Sequence, residues 1–316
     1  MKHPVLILAF NRAAKFEATL ISVLSEGKRK IYVSQDGPRK LFPEETLATS
    51  RVIQKYLNSE DIYLANYLPS NLGTLHGVQA GISWFFSHEE KGIILEDDLI
   101  LMQGALYEAD YAMSFLDTST RAASVNLRNI VPIDRILEPR LTFRYSRLST
   151  SHGWGSTRSF WEESIKEIRN KPGVGVLVSF CRFYGLVPGL FWFSNYSLDY
   201  KLEKKTPQKA NWDIRWSVSH ALNGWMSIYL NRNRILYDGF GDDATHTKAI
   251  PKKLEKIYDL IDTPPLSHPT NTDIDSRADA FLTGRGYGFT LMKGLRRLLS
   301  VRTRFEKLIK LFKNTD

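Results

Sequence analysis

Residues 5–10 form an unbroken apolar run that stops at Asn11-Arg12, the pattern of a strand covered on both faces in a parallel sheet. Phe16, Leu20, Val23 and Leu24 follow at helical spacing. Ile31-Tyr32-Val33 predicts a second strand, ended by the turn signal Gln35-Asp36-Gly37-Pro38. Pro43-Glu44-Glu45 opens a helix, with proline early and acids in the first turn. Ile62-Tyr63-Leu64 predicts a third strand, Leu75, Val78, Ile82 and Phe85 a helix stripe, and residues 92–95 a fourth strand. This rhythm predicts an α/β fold: a Rossmann-like, mostly parallel, doubly wound sheet flanked by helices.

Beyond Asp98 the alternation loosens. Residues 122–127 predict a further strand, and a stretch with prolines and arginines runs on to Leu148. Ser151-His152-Gly153-Trp154-Gly155-Ser156 reads as a glycine-bearing loop, with Ser159 and Glu162 as a capping box that starts a helix. Residues 211–224, with Trp212 and Trp216, read as helical, and residues 227–230 and 235–237 as short strands. The apolar stretch 174–193 is interrupted by Arg182, Gly185, Pro188 and Gly189, so core or acceptor-facing surface is expected rather than a membrane span. The expected division is a domain over 1–249, a linker or extended segment over 250–283 and a tail over 284–316.

With 43% apolar and 24% charged residues in 316, the composition is that of a globular chain. Cys181 is its single cysteine, which excludes internal disulfides and a cysteine-based zinc site. The first apolar run is too short for a signal peptide or a span, so a cytoplasmic location is expected. Charge changes the picture at one end. Residues 285–316 carry nine Lys/Arg against Glu306 and Asp316, so +7 of the net +9 lies there. Leu291, Leu295, Leu298, Leu299, Phe305, Leu308, Ile309 and Phe312 recur between those basic residues, predicting a basic amphipathic helix over 291–313. Such a helix suits an anionic membrane surface, here the inner face of the cell membrane. The plain alternative is a helix docked on the body with solvated lysines. No nucleic-acid partner is expected, because the body has little basic surplus and no reader motif.

Candidate chemistry centres on Glu96-Asp97-Asp98, directly behind the fourth strand. Ligands of open parallel sheets bind at the carboxyl ends of strands, and Asp36 also follows a strand. Adjacent carboxylates in a partly buried place are relieved by protonation or by a cation. With no basic residue beside the triplet, a hard divalent ion with oxygen ligands is the expected relief. The plain alternative is a solvated acidic loop.

Three segments after successive strands carry a resemblance: Asn11-Arg12, Val33-Ser34-Gln35-Asp36 and Ile94-Leu95-Glu96-Asp97-Asp98-Leu99. They resemble the GT-A nucleotide-sugar glycosyltransferases, in particular the N-acetylglucosaminyltransferase I type. Gly153-Trp154-Gly155, Asn211-Trp212-Asp213-Ile214-Arg215-Trp216 and the segment from Gly239 to Thr247 resemble bacterial GT-A sugar transferases, so the likeness covers about residues 4–247. It implies a nucleotide-sugar donor, a UDP-sugar first, a glycan or lipid-linked acceptor, and Mn2+ or Mg2+ as cofactor. Arg12 and Asp36 match positions that contact the nucleoside base. Asp98 matches the direct metal ligand, and Glu96 and Asp97 match residues that bind donor sugar and ribose. His246 stands where a late histidine reaches the metal or the diphosphate, and Gly153, Trp154 and Gly155 where the backbone approaches the donor. Asp213 matches the catalytic base, and its neighbour Ile214 replaces a second aspartate of the family. Trp212 and Trp216 beside Asp213 would desolvate it and raise its basicity. The rival readings are another metal-dependent phosphate-transfer enzyme and a non-catalytic membrane-associated protein on the same scaffold. A phosphotransferase would place an Asp nucleophile after the first strand, where this chain has Asn11-Arg12. A dinucleotide oxidoreductase would need a glycine fingerprint there.

Overall fold

The computed structural model describes residues 1–39, 43–116, 121–167, 171–237, 265–286, 290–301, 303, 304 and 306. The first strands and helices alternate: β1 (Val5–Ala9), α1 (Ala13–Ser25), β2 (Ile31–Gln35), α2 (Pro43–Asn58), β3 (Leu64–Tyr67), α3 (Gly73–His88) and β4 (Lys91–Glu96). Continuous apolar runs are needed because both faces of these strands are covered. Val5, Ile7, Ile31, Val33, Ile93 and Leu95 pack with Phe16, Leu20 and Val23 of α1 on one face. Leu6, Leu8, Tyr32 and Ile94 pack with Ile82, Phe85 and Phe86 of α3 on the other. The period of two thus appears as a division of neighbours between two cores, not as an alternation of polar and apolar residues.

The chain continues through β5 (Leu99–Leu101), α4 (Ala105–Met113), β6 (Ala122–Asn126), β7 (Phe143–Ser146), β8 (Trp154–Thr157), α5 (Arg158–Glu167), α6 (Val174–Tyr184), α7 (Leu186–Lys205), α8 (Trp212–Asn223), β9 (Met226–Leu230) and β10 (Ile235–Tyr237). Among the described residues the main sheet has the order β3-β2-β1-β4-β8-β6-β9-β7, and β5 pairs with β10 in a separate ribbon. The β1–β4 core and the β6–β9 pair are parallel. β8 and β7 run against their neighbours. The expected α/β architecture with a mostly parallel sheet is therefore present, as a mixed sheet with two reversed strands.

Three local expectations change. The third strand begins at Leu64 rather than Ile62, because Ile62 turns inward to close the end of α2 and its amide donates to Tyr56 O at 3.1 Å. Residues 154–156 of the expected loop 151–156 belong instead to a central strand, β8, wedged between β4 and β6. A side chain on Gly155 would meet Met113 Sδ at 2.5 Å and Gly92 O at 3.2 Å, so this glycine serves close packing rather than a turn. The α5 start is set two residues earlier than Ser159: Thr157 Oγ1 accepts from the Phe160 amide at 3.4 Å.

Part of the segment expected as linker, 250–283, lies outside the described residues, and its described part is built onto the sheet edge. The Ser267 amide donates to Thr142 Oγ1 at 2.9 Å, Ile274 bridges to Tyr145 of β7, and Asp275 caps the short helix α9 (Ser276–Phe281). The apolar stretch 174–193 becomes α6 and the start of α7, broken at Gly185. Among the described residues no helix is long and apolar enough to cross a membrane. The tail helix α10 (Leu291–Leu299) packs on α7, with Arg297 over the Phe191 ring at 4.1 Å and donating to Asn195 Oδ1 at 3.2 Å. The tail beyond residue 306 lies outside the described residues.

Candidate active site

The carboxyl ends of β1 and β4 are adjacent in register, Leu8 opposite Glu96, so the segments that leave the two strands must meet. Arg12, just past β1, turns its guanidinium onto the acids past β4. Its Nη1 donates to Asp98 Oδ2 at 2.9 Å, and its Nη2 pairs with Asp97 Oδ1. The Phe10 amide donates to the other Asp97 oxygen at 3.3 Å. The triplet therefore has a counterion in the fold that its local sequence lacks. A divalent ion, the relief expected from the sequence, is thus joined by a cation that the fold itself supplies.

That relief is incomplete. Burial pushes the Glu96 carboxyl up to about 8, the charges of Asp98, Asp213 and Asp97 add to the shift, and Arg12 opposes it. Burial raises Asp97 to about 6 against the pull of Arg12. Of these two acids, Glu96 is the one whose proton burial holds more strongly. Asp98 Oδ1 is buried without a hydrogen-bond partner, unlike Oδ2. Among the described residues no three His, Cys, Asp or Glu side chains converge as a metal cage.

Asp213 enters from the other side, in the first turn of α8. The start of this helix is fixed by Asp199 of α7, which accepts from the Asn211 amide at 2.7 Å and from Arg215 Nε at 3.0 Å. Arg215 is fully buried and also donates to Glu203 at 2.6 Å. The Asp213 charge raises both Glu96 of the triplet and Asp199 of the α7 anchor. Trp212 and Trp216 do flank it in sequence, but their rings stack on Trp154 in the core at 5.5 and 4.8 Å.

Asp36 has a different office. Its carboxylate accepts from the Gly37, Leu72 and Gly73 amides and from Asn71 Nδ2, at 2.9 to 3.0 Å. It pins the β2 turn to the first residues of α3, using all the lone pairs a carboxylate offers. Gly73, at φ +77, lies against the backbone of Gln208, where a Cβ would come within 2.5 Å. Through that contact the pinned α3 start also seats the turn that precedes α8.

The other expected residues divide. Gly153, at φ +73, ends β8 beside Leu95 and Ile235, at the same edge as the triplet. Trp154 is fully buried in the core and Gly155 is enclosed between strands, so neither offers a donor any surface, contrary to expectation. His246 lies outside the described residues.

Tyr237, Arg128 and His152, none of them among the expected site residues, join this edge. Tyr237 of β10 pairs in register with Leu99. Burial pushes its phenol up, Asp98 and Glu96 push it further, and Arg12 and Arg128 pull it back. Arg128, two residues past β6, lies over the Tyr237 ring at 5.5 Å, and the His152 ring meets it edge-on at 5.2 Å. The one signal in the sequence is position: Arg128 follows a predicted strand, as Arg12 does.

Comparisons with known proteins give distant likenesses. A fragment of S. aureus TarS, residues 1–349, aligns with a TM-score of 0.45 at 11% identity, over 76% of this chain and 61% of that one. The mannosyltransferase PcManGT from Pyrobaculum calidifontis, in complex with GDP-Man and Mn2+, gives 0.39 at 12% identity, over 70% and 69%. The inositol-1-phosphate CTP transferase from T. maritima gives 0.35 at 8% identity, over 72% and 84%. The chain thus spans less than two thirds of the TarS fragment. No family model and no curated protein sequence matches it.

Proposed function

We propose that this chain is a metal-assisted glycosyltransferase that moves a hexosyl or N-acetylhexosaminyl group from a nucleoside diphosphate carrier, a UDP-sugar first, to a hydroxyl of a glycan or lipid-linked acceptor, with inversion. Two features support the reading: the charge of Asp213 on α8 acts on Glu96 of the Arg12-bound triplet, and Asp98 Oδ1 is left buried and unpartnered. A buried acceptor oxygen without a partner calls for an explanation, and a hard cation fits it. Mg2+-like ions take one or two protein carboxylates and complete their shell with substrate phosphates and water, which suits a site without a full protein cage.

Asp98 would hold the ion, with Glu96 beside it once deprotonated. When bound, the ion supplies neutralisation of the leaving diphosphate. The chain's own residues do the rest. Asp97, held by Arg12 and the Phe10 amide, offers fixed acceptor oxygens for donor hydroxyls. Asp213 takes the proton of the acceptor hydroxyl as that oxygen bonds to the anomeric carbon. The bond from that carbon to the diphosphate breaks, its electron pair leaves on the phosphate oxygen, and the configuration inverts.

The tail supports the acceptor side of this reading. α10 docks through Arg297, Leu298 and Val301, and leaves Met292, Leu295 and Leu299 exposed along one stripe. An exposed apolar stripe among arginines suits an anionic bilayer, where a lipid-linked acceptor would lie.

The test is nucleotide release from a panel of UDP- and GDP-sugars with manganese. Wild type should hydrolyse or transfer one of them, and Asp98→Ala should lose the metal-dependent part. Asp213→Asn should bind donor and turn over at least ~100-fold more slowly. Full activity of Asp213→Asn would remove its role as base, and an inert wild type across the panel would remove the reading.

A further inference from the structure

A diphosphate laid against carboxylates needs positive charge from the protein. Arg12 is committed to Asp97 and Asp98. Arg128 is not: it is half-buried, and among the described residues its guanidinium has the Tyr237 ring and no carboxylate partner. Its position follows from the register of three strands. Trp154 of β8 pairs with Ile94 of β4 on one side and Asn126 of β6 on the other. Glu96, the last residue of β4, and Arg128, past the end of β6, each lie two residues beyond those partners. Both therefore leave the sheet at the same edge, on either side of the chain that enters β8. Tyr237 links the two: its backbone pairs with Leu99, next to Asp98, and its ring lies under Arg128 at 5.5 Å.

His152 closes the far side. Thr150 Oγ1 accepts from the His152 amide at 3.4 Å and lies 3.2 Å from Nδ1. Burial and the Arg128 charge push this imidazole down to about 3, so it stays neutral beside the guanidinium.

We propose that Arg128, seated on Tyr237 and backed by His152, forms an anion subsite that takes the diphosphate of the substrate opposite the acidic triplet. Its identification as the donor's leaving-group site rests on the transferase reading, but the anion site itself does not. A guanidinium fork matches two phosphate oxygens, and at this place it would bind more tightly as negative charge accumulates on the departing group.

The experiment is titration of the full chain with inorganic pyrophosphate in EDTA at low ionic strength, which reads the protein's cations without a metal. Wild type should bind. Arg128→Gln should bind at least about tenfold more weakly, the effect of removing one charge-assisted hydrogen bond. Arg128→Lys, which keeps the charge and guards against misfolding of the Gln variant, should fall between them. Equal affinity of wild type and a folded Arg128→Gln, or no pyrophosphate binding by wild type, overturns the subsite. Pyrophosphate binding that depends on Arg128 in a protein inert toward every nucleotide-sugar would keep the subsite and remove the transferase reading.

Discussion

Arg12 Nη1 donates to Asp98 Oδ2 at 2.9 Å although 86 residues separate the two in the chain. The contact exists because β1 and β4 are neighbours in the sheet and end level with each other. Under the transferase reading, Arg12 and a bound ion would compete for the same carboxylates. Arg12→Ala should lower apo stability by about 3 kcal/mol, the effect of stripping the partner from buried charge. The same variant should gain more thermal stability from added manganese than wild type does, since the ion would replace the missing counterion. Thermal melts with and without manganese read both effects. A variant as stable as wild type in EDTA would show that Arg12 is not the counterion.

The ribbon that carries Tyr237 depends on a second ion pair far from the site. Arg234 donates from Nε and Nη2 to the two oxygens of Glu108 at 2.9 and 2.5 Å, and from Nη1 to Gln103 O at 3.0 Å. Both side chains are buried. Glu108→Ala leaves a buried guanidinium without its acid and should cost about 3–5 kcal/mol. Urea unfolding of the variant measures it. A cost under about 1 kcal/mol would mean that water or another acid reaches Arg234.

Gly153 and Gly155 separate turn geometry from packing. Gly155→Ala places a methyl group against Met113 and Gly92 O and should destabilise by about 1–3 kcal/mol through overpacking. Gly153→Ala adds the strain of a positive φ to contact with Ile235. Both should lower the unfolding midpoint, and neither loss should be recovered by nucleotide. Recovery by nucleotide in Gly155→Ala would return that residue to the donor site.

Legibility in this chain depends on whether the information is local. The β1, β2 and β4 runs, the acidic triplet and the α8 start at Asp213 all sit in short windows with a clear period or turn. β8 escapes because Gly155, in a central strand, carries the same letter as a turn glycine, and only Met113 and Gly92 on neighbouring elements distinguish them. The Arg12 counterion escapes for a related reason: its partner is set by strand order, not spacing. Asp36 is visible as a residue, but its four hydrogen bonds come from Gly37 and from the distant Asn71, Leu72 and Gly73.

Acid should weaken the fold through its buried histidines. Burial holds His220 down to about 4, with Nδ1 3.0 Å from Trp216 O. An unfolded chain would titrate it near the model-peptide value of about 6.5, so its contribution is fully present above that pH and is lost as pH falls toward 4. The size is on the order of 3 kcal/mol. The raised carboxyls of Glu96, Asp97 and Asp199 act in the opposite sense, since protonation favours the folded state there. The measure is therefore the difference between wild type and His220→Gln in urea midpoint, taken at about pH 7.5 and about pH 5. The two curves should converge at the lower pH, and parallel curves would remove His220 from the acid limb.

Asp36 holds the turn after β2 to the start of α3, and Gly73 holds that start to the turn before α8. Asp36→Asn replaces one accepting oxygen with a donor, and that nitrogen would face either the Gly73 amide or the Leu72 amide. Each oxygen accepts two of the four bonds, so two buried bonds disappear and donors oppose donors, for a cost of about 2–3 kcal/mol. Because the α3 start seats α8, the variant should also loosen Asp213, seen as faster hydrogen exchange in the first turn of α8 at unchanged protection of β1. A nucleobase contact by Asp36 would require one of those four donors to let go. Asp36→Asn with full stability and exchange protection but weakened uridine binding would assign Asp36 to the base and take the pin away from it.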